Sequence, residues 1–116
     1  MTNESCLFCK IVAGDIPSAV VHEDDVVLAF DDINPAAPVH QLIIPKRHIE
    51  SAAGLSEADA EMLGRLFAVA AELAAKAGLP DKGYRLVTNV GDDGGQSVPH
   101  LHFHLLGGRS MAWPPG

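Results

Sequence analysis

Residues 98–108 read VPHLHFHLLGG, with His100, His102 and His104 alternating with Leu101, Phe103 and Leu105. The chain has six histidines, so half of them fall within five positions. On an extended strand, side chains two apart share a face. The three imidazoles then line one face at steps of about 7 Å, and the apolar residues line the other. Histidine at neutral pH supplies a nucleophile, a proton carrier or a metal ligand. The outer pair would stand about 13 Å apart, too far for one tetrahedral zinc with bonds near 2 Å. At most two of the three can share an ion, so at least one has other work. The alternative is a plain polar face, against which stands the mutual repulsion of three protonated rings.

Two further clusters carry chemistry. The segment NVGDDGGQS at 89–97 leads into the histidines. Its glycines let backbone N–H groups turn inward, and Gln96 and Ser97 add donors, so the loop can cradle an anion. Alone it also reads as an ordinary glycine-rich turn. The chain's two cysteines, Cys6 and Cys9, form a C-x-x-C pair. That spacing fits half a metal site, a redox pair or two reduced thiols.

These residues need a scaffold, and 116 residues with 47% hydrophobic content suit a single domain spanning 1–116. The net charge of −7 leaves no basic footprint for nucleic acid or an anionic membrane. No apolar stretch approaches a membrane span, and MTNESCLFCKIVAG has no signal-peptide pattern, so the expected location is the cytoplasm. The stretch VVHEDDVVLAF predicts two strands around an acidic turn at Asp24 and Asp25, with His22 as a surface residue. DDINPAAPVH is a proline-broken loop, and QLIIP is a strand that ends at Pro45. Residues 56–77 form the one long helix. Ser56 is its N-cap, Gly78 and Pro80 close it, and Met62, Leu63, Leu66, Phe67, Ala70, Leu73 and Ala77 form its apolar face. YRLVTNV and HLHFHLL are the last strands, and MAWPPG is irregular because of its prolines. Strands with one segregated long helix and a short N-terminal helix or turn predict an α+β fold on a mainly antiparallel sheet.

HLHFHLL resembles the histidine-triad (HIT) pattern, His-φ-His-φ-His-φ-φ with φ apolar. The resemblance extends to LAFDDINPAAPVHQLIIPKRHI, NVGDDGGQSVPHLHFHLLGGR and the terminal WPPG. These are similar to the HINT branch, the nucleoside phosphoramidate hydrolases. The resemblance implies a HIT-like fold and a homodimer, with Trp113 packing across the interface. It implies that His102 attacks the α-phosphate and forms a nucleotidyl-histidine intermediate, from which water releases the monophosphate. His104 would neutralise charge, Ser97 would contact the phosphate or leaving group, and His40 would support the nucleophile's proton traffic. Nucleotide contacts would come from Asp32, Ile33, Asn89, Gly95, Gln96, Ser97, His102, Phe103 and His104. In zinc-binding bacterial relatives, the matching ligands are Cys6, Cys9, His48 and His100, so zinc is the implied cofactor. No organic cofactor is implied. Pro99 stands where relatives often carry an aromatic residue.

The sequence reading therefore expects an enzyme that cleaves purine nucleoside 5′-phosphoramidates. A Fhit-like dinucleoside polyphosphate hydrolase, a nucleotide-binding regulatory module and a histidine-based metallohydrolase are the competing readings.

Overall fold

The computed structural model describes residues 5–116. Five strands form one antiparallel sheet in the order β1-β2-β3-β5-β4. The strands are β1 (Val20–Glu23), β2 (Val27–Asp31), β3 (Val39–Pro45), β4 (Arg85–Val87) and β5 (Phe103–Gly107). The short helix α1 (Leu7–Val12) precedes them, and the long helix α2 (Ala60–Lys76) sits between β3 and β4. The α+β class, the antiparallel sheet and both helices match the expectation.

The sheet buries both faces, and sequence parity decides which residue goes where. Val27, Ala29, Ile43, Leu101 and Leu105 join α2 in one core. Leu28, Phe30, Leu42 and Ile44 join Cys6, Phe8 and Cys9 of the α1 region in the other. This explains why VLAF and LII read as continuous apolar runs rather than alternating ones. The histidines at even positions accordingly share the α1 side of the sheet.

Helix α2 presents Leu66, Val69, Ala70, Leu73 and Ala74 to its core. The buried stripe is rotated relative to the expected one. Phe67 and Ala77 are exposed, and Val69 and Ala74 take their places. Phe67 instead stacks edge-on against Phe103, with ring centroids 5.3 Å apart. The α-helix also starts later than expected, after a 3-10 turn at Glu57–Asp59 that Ser56 opens by donating its N–H to the Asp59 carboxylate. Gly78, at φ +72°, ends the helix. Its N–H and that of Leu79 reach the carbonyls of Ala75 and Ala74, which satisfies the last turn.

Three strand expectations need correction. β3 begins at Val39, so His40 is a strand residue rather than a loop residue. β4 stops at Val87 and β5 starts only at Phe103, so His100 and His102 precede the strand. The cause is visible in the backbone: the Leu101 N–H is given to the Ile49 carbonyl at 2.6 Å, away from the β3 and β4 ladders. His22 is half-buried and bound to Asp24 at 2.7 Å, not free on the surface. No helix among the described residues is long and apolar enough to cross a membrane.

Candidate active site and metal centre

A cavity of about 290 Å³ opens on the α1 side of the sheet. His102, His104, Asp32, Ile33 and Ser97 lie on its wall, as do Leu7, Phe8 and Ile11 of α1 and Phe30 and Leu42 of the sheet. Three larger surface cavities, of about 650, 630 and 310 Å³, lie near Lys82 and Arg109, near the Asp24 turn and near Tyr84 and Met111, and none is lined by a histidine or cysteine. The chemistry therefore belongs to the smaller one.

His102 is buried, and its Nδ1 lies 2.6 Å from the carbonyl oxygen of His100. A carbonyl only accepts, so Nδ1 carries the proton and Nε2 keeps its lone pair. Burial pushes the His102 pKa down, which keeps the ring neutral. Phe8 meets it edge-on, with centroids 5.1 Å apart and planes at 87°. An oriented, neutral imidazole with one free nitrogen on a cavity wall is a competent nucleophile.

His104 takes its tautomer from a relay that starts in the backbone. Ala36 donates its N–H to His40 Nδ1 at 2.9 Å. A neutral His40 then holds its proton on Nε2 and donates it to His104 Nδ1 at 2.8 Å. The remaining His104 proton sits on Nε2. Burial, then the neighbouring His102 and His40 rings, push the His104 pKa down to about 4, against an opposing pull from Asp32. His40 therefore supports His104. It does not bond to His102, whose orienting partner is the His100 carbonyl.

Asp32, His40 and His104 place one donor atom each within 4.8 Å of one another. Such a trio can hold a metal ion, but the Ala36 N–H already occupies the His40 Nδ1 lone pair. Nε2 then bears a proton and presents no lone pair to a cation. Asp32 instead accepts from the Asn34 N–H at 2.8 Å and faces His40 Nε2 at 3.4 Å.

The glycine loop is more self-contained than the sequence reading expects. The N–H groups of Gly95 and Gln96 turn back to the carbonyls of Asp92 and Gly91. Gln96 spends its side chain internally: it accepts from Gly91 N–H and donates to the carbonyls of Glu50 and Val98. It braces the loop against the segment after β3 and has no donor left for a nucleotide. Asn89 likewise donates to Gly94, while its amide oxygen remains available. A side chain at Gly94 would come within 2.3 Å of the Val90 carbonyl, so the loop closes only with glycine there. Ser97 is the loop residue left facing the cavity. Phe103, implied by the resemblance as a nucleotide contact, has its ring on the opposite side of the sheet, against Phe67, Leu66 and Leu86.

A second centre lies behind His102. Cys6, Cys9, His48 and His100 bring one donor atom each within 4.8 Å of one another. His100 Nδ1 is 3.2 Å from Cys6 Sγ and 3.6 Å from Cys9 Sγ, and His48 Nδ1 is 3.3 Å from Cys9 Sγ. A tetrahedron with Zn–S near 2.3 Å and Zn–N near 2.0 Å has S···N edges of about 3.5 Å. The donor set and its spacing therefore fit zinc. His100 Nε2 donates to the Pro45 carbonyl at 2.9 Å, which turns Nδ1 toward the cysteines.

The apolar wall from α1 escaped the sequence reading. The signal was present in Leu7, Phe8 and Ile11 at helical spacing beside the cysteines, but nothing local ties that face to the histidines.

A HIT-like protein of Synechococcus elongatus is 53% identical over 98% of this chain and 99% of its own length. The 14 kDa zinc-binding protein of Zea mays is 55% identical over 95% of this chain and 87% of its own. Among solved structures, a HIT family hydrolase from Legionella pneumophila superposes with a TM-score of 0.94 at 55% identity, covering 96% of this chain and 99% of that one. The HIT domain family itself matches residues 13–111, and the chain belongs to that family.

Proposed function

We propose that the chain is a HINT-like hydrolase that cleaves the P–N bond of purine nucleoside 5′-phosphoramidates and releases the monophosphate. The observation that carries this reading is His102, a buried neutral ring with its Nδ1 proton held by a carbonyl and its Nε2 lone pair free, on the wall of a cavity of nucleotide-sized, largely apolar character. The name of the Legionella relative, a HIT family hydrolase, agrees with hydrolysis. Ile33 is 91% exposed at the cavity mouth and offers an apolar surface for a base, and the Asp32 carboxylate accepts from ribose hydroxyls.

In the first step, His102 Nε2 bonds to the α-phosphorus and the P–N bond of the substrate breaks. The departing amine takes the electron pair and a proton passed from solvent through the Ser97 hydroxyl, while the neutral His104 donates an Nε2–H hydrogen bond that offsets charge on the phosphoryl oxygens. The adduct ring is cationic, and the His100 carbonyl on Nδ1–H offsets that charge. In the second step, water adds to phosphorus, the N–P bond breaks, its electrons return to Nε2, and the proton of water returns to the donor. His40 acts through His104 as a positioning residue.

Cys6, Cys9, His48 and His100 would hold a structural zinc, in line with the zinc-binding name of the maize relative. Four protein ligands leave no open position, so the ion would serve as a crosslink rather than activate water. Its effect on the cavity runs through α1. A helix of six residues is too short to be stable alone. Cys6 caps it and Cys9 lies within it, while Leu7, Phe8 and Ile11 form cavity wall. We also propose a two-fold homodimer, for which the half-exposed Phe67 and the 82% exposed Trp113 offer apolar surface.

Six outcomes test this account. His102→Ala should lower turnover of an adenosine phosphoramidate by about three orders of magnitude or more, with AMP affinity largely kept. Mass spectrometry of enzyme quenched during turnover should map a nucleotide to His102, and a map to another residue would end the proposal. Protein purified without chelator should contain one zinc per chain, absent in Cys9→Ser. Chelation should lower Tm and raise KM more than it lowers kcat, and a metal-free native protein would contradict the zinc reading. His104 has a folded pKa of about 4, below its unfolded value near 6.5. Its stabilising contribution is thus complete above pH 6.5 and is lost as pH falls toward 4. Against His40, His102 and Asp32 as neighbours, His104→Asn should flatten the loss of Tm over that window, and an unchanged slope would reject the assignment. Sedimentation at micromolar concentration should give a dimer, and a monomer would remove that proposal.

A further inference from the structure

Helix α1 and the relay histidines account for the cavity's walls, but the backbone that carries His102 also needs holding. Residues 100–102 run outside the sheet, because β4 and β5 pair only as far as Val87 and His104. Just past that point, the Thr88 hydroxyl donates to the carbonyl oxygen of His102 at 2.8 Å. Thr88 is half-buried and His102 is buried, so this bond is shielded from water. We infer that Thr88 is a positioning residue for the nucleophile, rather than a sheet-edge threonine chosen for strand propensity.

The His102 ring is oriented through Nδ1 by a carbonyl only two residues back. That contact fixes the ring relative to its own short segment. It does not fix the segment relative to the rest of the site. Besides the His100 ring bond to the Pro45 carbonyl, two bonds do so on either side of the backbone: Leu101 N–H to the Ile49 carbonyl, and Thr88 Oγ to the His102 carbonyl. The first ties the segment to the chain after β3, which carries His48. The second ties it to the end of β4, from which Asn89 and the glycine loop with Ser97 continue. Thr88 thus sets the distance between the nucleophile and the loop residue that faces the same cavity. Phosphoryl transfer depends on that alignment, and displacements of about 1 Å can cost about a hundredfold in rate. Valine has the shape of threonine without the hydroxyl, so it removes the bond and leaves a shielded carbonyl unpaired. Serine keeps the donor.

This inference rests on His102 being the nucleophile, and its test separates the two ideas. Thr88→Val and Thr88→Ser would be compared with the wild type, each as the full zinc-loaded chain, on adenosine 5′-phosphoramidate. Thr88→Val should lose about tenfold in kcat with KM and AMP Kd within about twofold of wild type. Thr88→Ser should recover most of kcat. Amide hydrogen exchange supplies a readout that needs no turnover: the Leu101 N–H should exchange faster in Thr88→Val and near the wild-type rate in Thr88→Ser. A Thr88→Val protein with native kcat, or with unchanged Leu101 exchange, overturns the inference. An equal loss in both variants does too, because serine retains the proposed donor. A wild-type protein with no turnover but the expected exchange pattern counts against the hydrolase reading and leaves the Thr88 clamp supported.

Discussion

A backbone group claims one ring nitrogen on each of His40, His100 and His102. The rest of the site follows from this constraint. An imidazole has two nitrogens and, when neutral, one proton, so a fixed bond at one nitrogen dictates what the other can do. A carbonyl on His102 Nδ1 leaves a bare Nε2. A carbonyl on His100 Nε2 leaves a bare Nδ1 among the cysteines. An amide on His40 Nδ1 does the reverse and leaves a proton on Nε2, which passes the same polarity to His104. Two of these rings become lone-pair donors and two become proton donors, although all four are the same residue.

The fold exists around this division. An antiparallel sheet buried on both faces gives parity its meaning: even positions of residues 100–104 meet α1 and the cavity, odd positions meet α2. Leu101 and Leu105 anchor the segment from behind, both almost completely buried. The low-dielectric setting then keeps His102 and His104 neutral, because burial disfavours the imidazolium. The two centres share structure rather than chemistry. His100 contributes its ring to the Cys6–Cys9–His48 cluster and its carbonyl to His102. Phe8 packs against both His100 and His102.

Local patterns in the sequence were enough to read the order of elements, the antiparallel sheet and the shared face of the three histidines. They were not enough to read which atoms meet. The strand expected across 100–106 begins at Phe103, because Ile49, far away in sequence, takes the Leu101 amide. Gln96 reads as a donor to a phosphate, yet it braces Glu50, which composition cannot foresee. His40 reads as a loop residue behind prolines, yet pairing with β5 makes it a strand residue beside His104. Parity puts Phe103 on the face away from the histidines, and its ring packs there against Phe67 of α2. The spacing of the cysteine pair alone is ambiguous, and His48 and His100, which arrive from two other parts of the chain, complete a four-donor cluster with it.

The central claim is a claim about protons, and nitrogen-15 spectroscopy of the histidine side chains reads them directly. In the resting protein at neutral pH, His102 should show the Nδ1–H tautomer with an unprotonated Nε2. His40 and His104 should both show the Nε2–H tautomer. A His102 protonated on Nε2, or a His104 protonated on Nδ1, would contradict the account, because the proposed nucleophile would then lack its lone pair or the relay would run the other way.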